Sequence, residues 1–121
     1  MRMELLVSRI GNRQRRRSDP GVMTVEIIDP AKDDLADGFE FYEGQRRGLG
    51  DYFLDSLFAD IDSLILYAGV HRFEFGYHRA LARTFPYFIY YDLIGDQIRI
   101  IAVLDQRSDP TFRRQQTTGR G

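Results

Sequence analysis

The residues able to do chemistry gather around one stretch, Arg79 to Pro110. Arg79 and Arg83 lead into the run FPYFIYYDLI, and Arg107, Ser108 and Asp109 follow the run IRIIAVL before Pro110 stops it. A guanidinium offers a planar fork of donors that suits bidentate grip on phosphate or carboxylate. Tyr87, Tyr90 and Tyr91 lie in the first run and could donate or accept protons. An ordinary phenol, with a pKa near ~10, is a poor base unless several arginines depress it. The alternatives for the same residues are structural. Tyr87, Ile89 and Tyr91 alternate on one face and suit a core, Arg83 could pair with Asp92 or Asp105 across neighbouring strands, and Arg107 with Asp109 could stabilise a turn. His71 and His78 lack metal-ligand companions at useful spacing and read as surface or turn residues. With no cysteine there is no thiolate nucleophile or zinc site. Neither a metal nor a cofactor is expected.

Those residues need strands to hold them. The two runs are aromatic and β-branched, and Gly95-Asp96-Gln97 between them supplies a tight turn, so a β-hairpin passes through the core. Thr24 to Ile28 reads as a first strand. Asp29-Pro30 then opens a helix reaching Arg47, with Asp29 as its cap and Leu35, Phe39 and Tyr42 on its buried face. Gly48-Leu49-Gly50 breaks it. A second helix from about Asp51 to Tyr67 carries Phe53, Leu57, Ile61, Leu64 and Ala68 on one stripe, widened by Leu54, Phe58 and Ile65. The short link makes the pair an antiparallel helical hairpin. Strands follow around Arg72 to Phe75 and His78 to Phe85. The class is α+β: an N-terminal strand, a helical hairpin, then a mainly antiparallel four-strand run packed against the helices.

The 121 residues carry a formal net charge of −1, unevenly spread. Residues 1–18 hold six arginines and one acid, whereas residues 33–62 hold nine acids and two arginines. Lys32 is the only lysine. Residues 1–22 read as a disordered Arg-rich arm or as an over-extended start ahead of Met23, residues 23–112 as the domain, and residues 113–121 as a polar tail that frays. No apolar run is long enough for a membrane span, so a cytoplasmic protein without membrane contact is expected.

The order of motifs resembles the RelE/ParE family of bacterial toxins from type II toxin–antitoxin modules, which includes plasmid stabilisation proteins. The matching residues are Pro30-Ala31 with Asp34-Leu35, the link Tyr42-Glu43 through Gln45 and Gly48-Leu49-Gly50 to Phe53, then Arg79 and Arg83 before Phe85-Pro86-Tyr87, Ile89 and Tyr91. Ile100, Ala102-Val103-Leu104, Arg107 and Asp109-Pro110 complete it. The match spans roughly residues 24–112. The resemblance implies a growth-inhibiting toxin neutralised by a cognate antitoxin, whose hydrophobic anchors would meet Leu54, Phe58 and Phe88. RelE-like members cleave mRNA on the ribosome, and ParE-like members act on DNA gyrase.

The residues favour the second activity. An RNA-cleaving site needs a base, charge stabilisation and an acid. Arg79, Arg83 and Arg107 with Tyr87 could form such a catalytic set, making the chain an endoribonuclease. Yet Asp105 stands where relatives often carry histidine, and its charge opposes RNA. Residues 22–110 hold sixteen acids and eight bases, the wrong sign for a ribosome-entering nuclease. The expectation is therefore binding of gyrase through Arg79, Arg83, Arg107 and Asp109. An mRNA endonuclease is the alternative, and an inactive toxin-like binding module the third reading.

Overall fold

The computed structural model describes residues 23–121; the expectations for residues 1–22 lie outside that range. The elements are β1 (Thr24–Ile27), α1 (Asp29–Gln45), α2 (Leu49–Tyr67), β2 (Phe73–Glu74), β3 (Tyr77–Leu81), β4 (Tyr87–Ile94), β5 (Gln97–Asp105) and α3 (Pro110–Thr117). They build one five-stranded sheet in the order β1-β5-β4-β3-β2. β1 runs parallel to β5, and every other pair is antiparallel. Among the described residues no helix is long and apolar enough to cross a membrane.

The helical hairpin forms as its periodicity requires. Leu35, Phe39 and Tyr42 of α1 and Phe53, Leu57, Ile61 and Leu64 of α2 enter the main core, joined by Leu54 and Phe58. The two helices approach closely because glycine stands at the contact. A Cβ on Gly38 would strike the Phe53 ring, and one on Gly50 would come within 2.9 Å of the Phe39 carbonyl oxygen. The Glu43 carboxylate closes the link, accepting from the Gly48 N–H at 3.1 Å and the Gly50 N–H at 2.9 Å. Asp29, expected as the cap of α1, is instead its first helical residue: Ile28 holds the cap position without a side-chain hydrogen bond, and Asp29 pairs with Lys32 at 3.6 Å.

The β4–β5 hairpin turns at Gly95, whose φ of 60° is the left-handed conformation such a turn demands. Its register shifts between Tyr90 and Tyr91, which face Ala102 and Ile100, so Ile101 is an extra residue. The bulge lets Ile98, Ile100 and Val103 all join the helix-side core while Ile101, Ala102 and Leu104 join Tyr90 on the opposite face. β3 is shorter than expected, ending at Leu81 rather than Phe85. The Ala82 N–H bonds the Tyr87 carbonyl at 2.9 Å, so the chain turns there, and Pro86 sits in the turn.

The largest departure lies at the C-terminus. The polar tail expected to fray is helical over Pro110–Thr117, with Arg113 and Thr117 buried. It packs on the sheet face that the helical hairpin leaves open, where Arg113 reaches Tyr90 and Phe88. The outer edge of β5, uncovered once β1 ends, is closed by side chains. Asp34 accepts from the Val103 N–H at 3.0 Å, and Arg120 donates to the Ile101 carbonyl at 3.2 Å and to Asp34 at 2.6 Å. Burial still pushes the Asp34 carboxyl up, outweighing the contacts from Arg120 and Val103.

Candidate functional site

The three arginines singled out in the sequence do not form one cluster. Arg83 and Arg107 leave the sheet at the same end, on either side of the start of β4, where the Ala82 N–H meets the Tyr87 carbonyl and the Gln106 N–H meets the Pro86 carbonyl. Arg79 lies within β3, opposite Tyr90, on the face that carries α3. Sequence proximity of Arg79 and Arg83 suggested a shared edge; the end of β3 at Leu81 separates them.

Each has its own partners. The Arg83 N–H donates to Asp60 Oδ2 at 3.0 Å, leaving the side chain exposed, so the expected pairing with Asp92 or Asp105 does not occur. Asp92 pairs with Arg99 at 2.7 Å, and Asp105 takes Arg107 bidentately at 2.9 and 2.7 Å. Arg107 thus pairs with Asp105 rather than with Asp109. The Asp105 carboxyl is held below its usual range, chiefly by Arg107, and Asp105 in turn holds Arg107 more firmly charged. Asp109 caps α3, accepting from the Thr111 N–H at 2.7 Å.

Tyr87, Tyr90 and Tyr91 are all interior. Tyr87 packs edge-on to Phe53 with ring centroids 5.0 Å apart, and burial raises its hydroxyl well above the usual value, reinforced by the neighbouring Tyr42 and Asp105. Tyr91 accepts from the Gly69 N–H at 3.0 Å and meets His71 Nδ1 at 2.6 Å. His78 is buried in β3, stacked on Tyr91 at 5.0 Å and donating from Nδ1 to the His71 carbonyl at 2.8 Å. The histidines therefore fasten the α2–β2 connection to the sheet, a tertiary role for His78 in place of a surface one. Among the described residues no group of three His, Cys, Asp or Glu is placed to hold a metal ion.

A polar cluster on the α3 face of the sheet was not anticipated. Tyr90 donates to Glu74 Oε1 at 2.6 Å and accepts from Arg113 Nε at 3.1 Å. Arg79 Nη1 stands 3.2 Å from Glu74 Oε2, and Arg113 Nη2 stands 4.0 Å from the same oxygen. Both guanidiniums lie near the Phe88 ring, at 4.2 and 5.1 Å from its centroid. Tyr90 is pushed up to about 12, first by burial and then by the Glu74 carboxylate. Burial draws Glu74 upward, but the bonds from Tyr90 and Arg79 and the Arg113 charge outweigh it and leave the carboxyl below its usual value. Arg113 lay in the stretch read as a tail; its place after an Asp-Pro helix start was the available signal.

Of the residues assigned to antitoxin contact, Leu54 and Phe58 are core residues and Phe88 is half-buried. The exposed apolar side chains are elsewhere. Phe41 of α1 and Phe112 of α3 line a groove of about 280 Å³ whose floor is Tyr87, Val103 and Leu104. Helical spacing places Phe39 and Tyr42 on the buried face of α1, as observed; it leaves Phe41, within the same turn, pointing outward without a stated role.

No family model matches this chain, and no curated protein does. A solved structure described as the chromosomal ParDE TA system from P. aeruginosa is similar, with a TM-score of 0.59 at 15% sequence identity, over 69% of this chain and 96% of that one. At that identity the likeness concerns architecture. The chain has an α+β fold like one found in that system.

Proposed function

We infer that this chain is the toxin of a type II toxin–antitoxin module, held inactive by a cognate antitoxin, and that it acts in the cytoplasm by binding and inhibiting DNA gyrase as ParE-like toxins do. Its fold, similar to one in the ParDE system, supports the toxin reading. The ParE-like branch rests on one observation: of the groups a nuclease would use, all but Arg83 are already committed. Tyr87 and Tyr90 are both held protonated, and Arg79 and Arg107 each face a carboxylate. A site with no available base and with half-neutralised cations is poorly equipped to cleave a phosphodiester. It remains a good recognition surface, because Arg83 and Arg107 flank the start of β4 with exposed side chains and Asp109 orders the helix beside them. Antitoxin docking is assigned to the groove between Phe41 and Phe112, with Phe88 as a neighbouring apolar contact and Leu54 and Phe58 supporting the hairpin from within.

Expression of the chain without antitoxin tests this. Loss of negative supercoiling with intact mRNA is the expected result. Rapid, codon-positioned mRNA cuts with normal supercoiling would make the chain a RelE-like endonuclease. Growth without either effect would leave an inactive binding module.

A further inference from the structure

Three donors on the α3 face of the sheet converge on a single carboxylate. Tyr90 Oη, Arg79 Nη1 and Arg113 Nη2 come from β4, β3 and α3, and stand 2.6, 3.2 and 4.0 Å from the Glu74 oxygens. Two guanidiniums against one carboxylate leave an excess positive charge. The contacts are also uneven. Arg113 spends Nε on Tyr90 and Nη1 on the Ser108 carbonyl, whereas its Nη2 faces Glu74 beyond hydrogen-bond length. The side chains of Arg79 and Glu74 are 21% and 23% exposed, so solvent reaches the cluster, while Arg113 at 6% is fixed from within.

Glu74 itself sits on the least secured element of the sheet. β2 is two residues long and forms the sheet edge. The following turn places Phe75 at φ 59°, a left-handed conformation that is costly for a bulky side chain, before Gly76 at φ 88°. Only two residue pairs, Phe73 with His78 and Glu74 with Tyr77, and a strained turn tie the backbone of Glu74 to the sheet, whereas Arg79, Tyr90 and Arg113 stand on the longer strands and the buried face of α3.

We propose that Arg79, Tyr90 and Arg113 form a binding site for a phosphate group, and that Glu74 is a tethered internal competitor occupying it. A tetrahedral, doubly charged anion matches the surplus charge and can reach the Arg113 donor that the planar carboxylate leaves at 4.0 Å. The low position of the Glu74 carboxyl agrees with a pocket built for an anion. Hydroxyl donation by Tyr90, kept protonated, serves the ligand as it serves Glu74.

Titration of the full chain with inorganic phosphate, followed by calorimetry and by the Tyr90 side-chain resonances, tests this independently of any toxin activity. Glu74→Gln keeps the shape but removes the competing charge, and should bind phosphate at least tenfold more tightly than the unaltered chain. Adding Arg113→Gln to that variant should abolish the gain. Glu74→Ala, which leaves no amide in the site, should bind at least as well as Glu74→Gln. Equal, weak phosphate binding by the unaltered chain and both Glu74 variants, each with a native circular dichroism spectrum, would overturn the proposal. A gain that survives Arg113→Gln would overturn it too.

Discussion

Single residues here are decided by whether their charge is matched. Asp60 of α2 is 7% exposed and accepts the Arg83 N–H at 3.0 Å, and burial raises its carboxyl above the usual value despite that bond. A carboxyl raised on folding contributes stability below its unfolded pKa and loses it as pH rises through the folded value. Asp60→Asn keeps the acceptor and removes the buried charge. It should raise the midpoint of thermal unfolding by a few degrees at pH 7, with the gain vanishing near pH 3. Glu74 has the opposite sign. Its carboxyl is lowered on folding, so its stabilising share is complete above its unfolded pKa and is lost as pH falls through the folded value. Acid titration of the unaltered chain should accordingly loosen the Glu74–Tyr90–Arg113 contacts as the pH drops below about 4.5, and in Glu74→Gln the amide protection of α3 should be the less sensitive to pH in that window.

At the level of elements, the helical hairpin depends on close approach and α3 on one buried arginine. At Gly38 a methyl group would meet the ring of Phe53, itself wholly buried, so the helices must separate. Gly38→Ala should cost about 2 kcal/mol, within the range for overpacked cores, read as a fall in the denaturant midpoint. Its helix propensity gain is smaller, roughly 1 kcal/mol. Helix α3 has few apolar residues to hold it; Arg113 supplies its contact with Tyr90, the Ser108 carbonyl and the Phe88 ring. Arg113→Ala leaves the Tyr90 hydroxyl and the Ser108 carbonyl each short of a partner and should cost ~2–4 kcal/mol, at about 1–3 kcal/mol for each buried group left unpaired. Hydrogen exchange should then accelerate across residues 110–117 well before the sheet amides follow.

On the scale of the whole molecule, the Arg83–Arg107 end of the sheet and the cluster around Glu74 are separate. Arg83 and Arg107 flank the start of β4, whereas Arg79 belongs with Glu74 on the α3 side. Combined substitution Arg83→Ala with Arg107→Ala should relieve growth arrest by at least tenfold in surviving colonies while antitoxin binding is kept, because neither arginine lines the Phe41–Phe112 groove. Toxicity unchanged by the pair would remove that end of the sheet from the functional surface. Arg79→Ala separates the two sites, since it removes a contact to Glu74 without altering that end.

Much of the fold was legible because it follows from local patterning. Apolar residues at helical spacing placed α1 and α2, β-branched and aromatic runs placed β4 and β5, and Gly95 marked the turn between them. The α+β class and the buried tyrosines came from the same short-range rules. Tertiary structure alone decided the partners of the charges. Residue type states that Arg79, Arg83 and Arg107 can grip an anion, but strand register brings Glu74 to Arg79, a turn brings Asp105 to Arg107, and Asp60 takes only the Arg83 backbone N–H, leaving that guanidinium exposed. Helix α3 escaped notice because polar side chains cover most of it and its anchor is a guanidinium, buried through hydrogen bonds and a ring face rather than through hydrophobicity. Periodicity in a sequence reports which side chains avoid water; it carries no record of which distant carboxylate, hydroxyl or ring makes burial of a charge affordable.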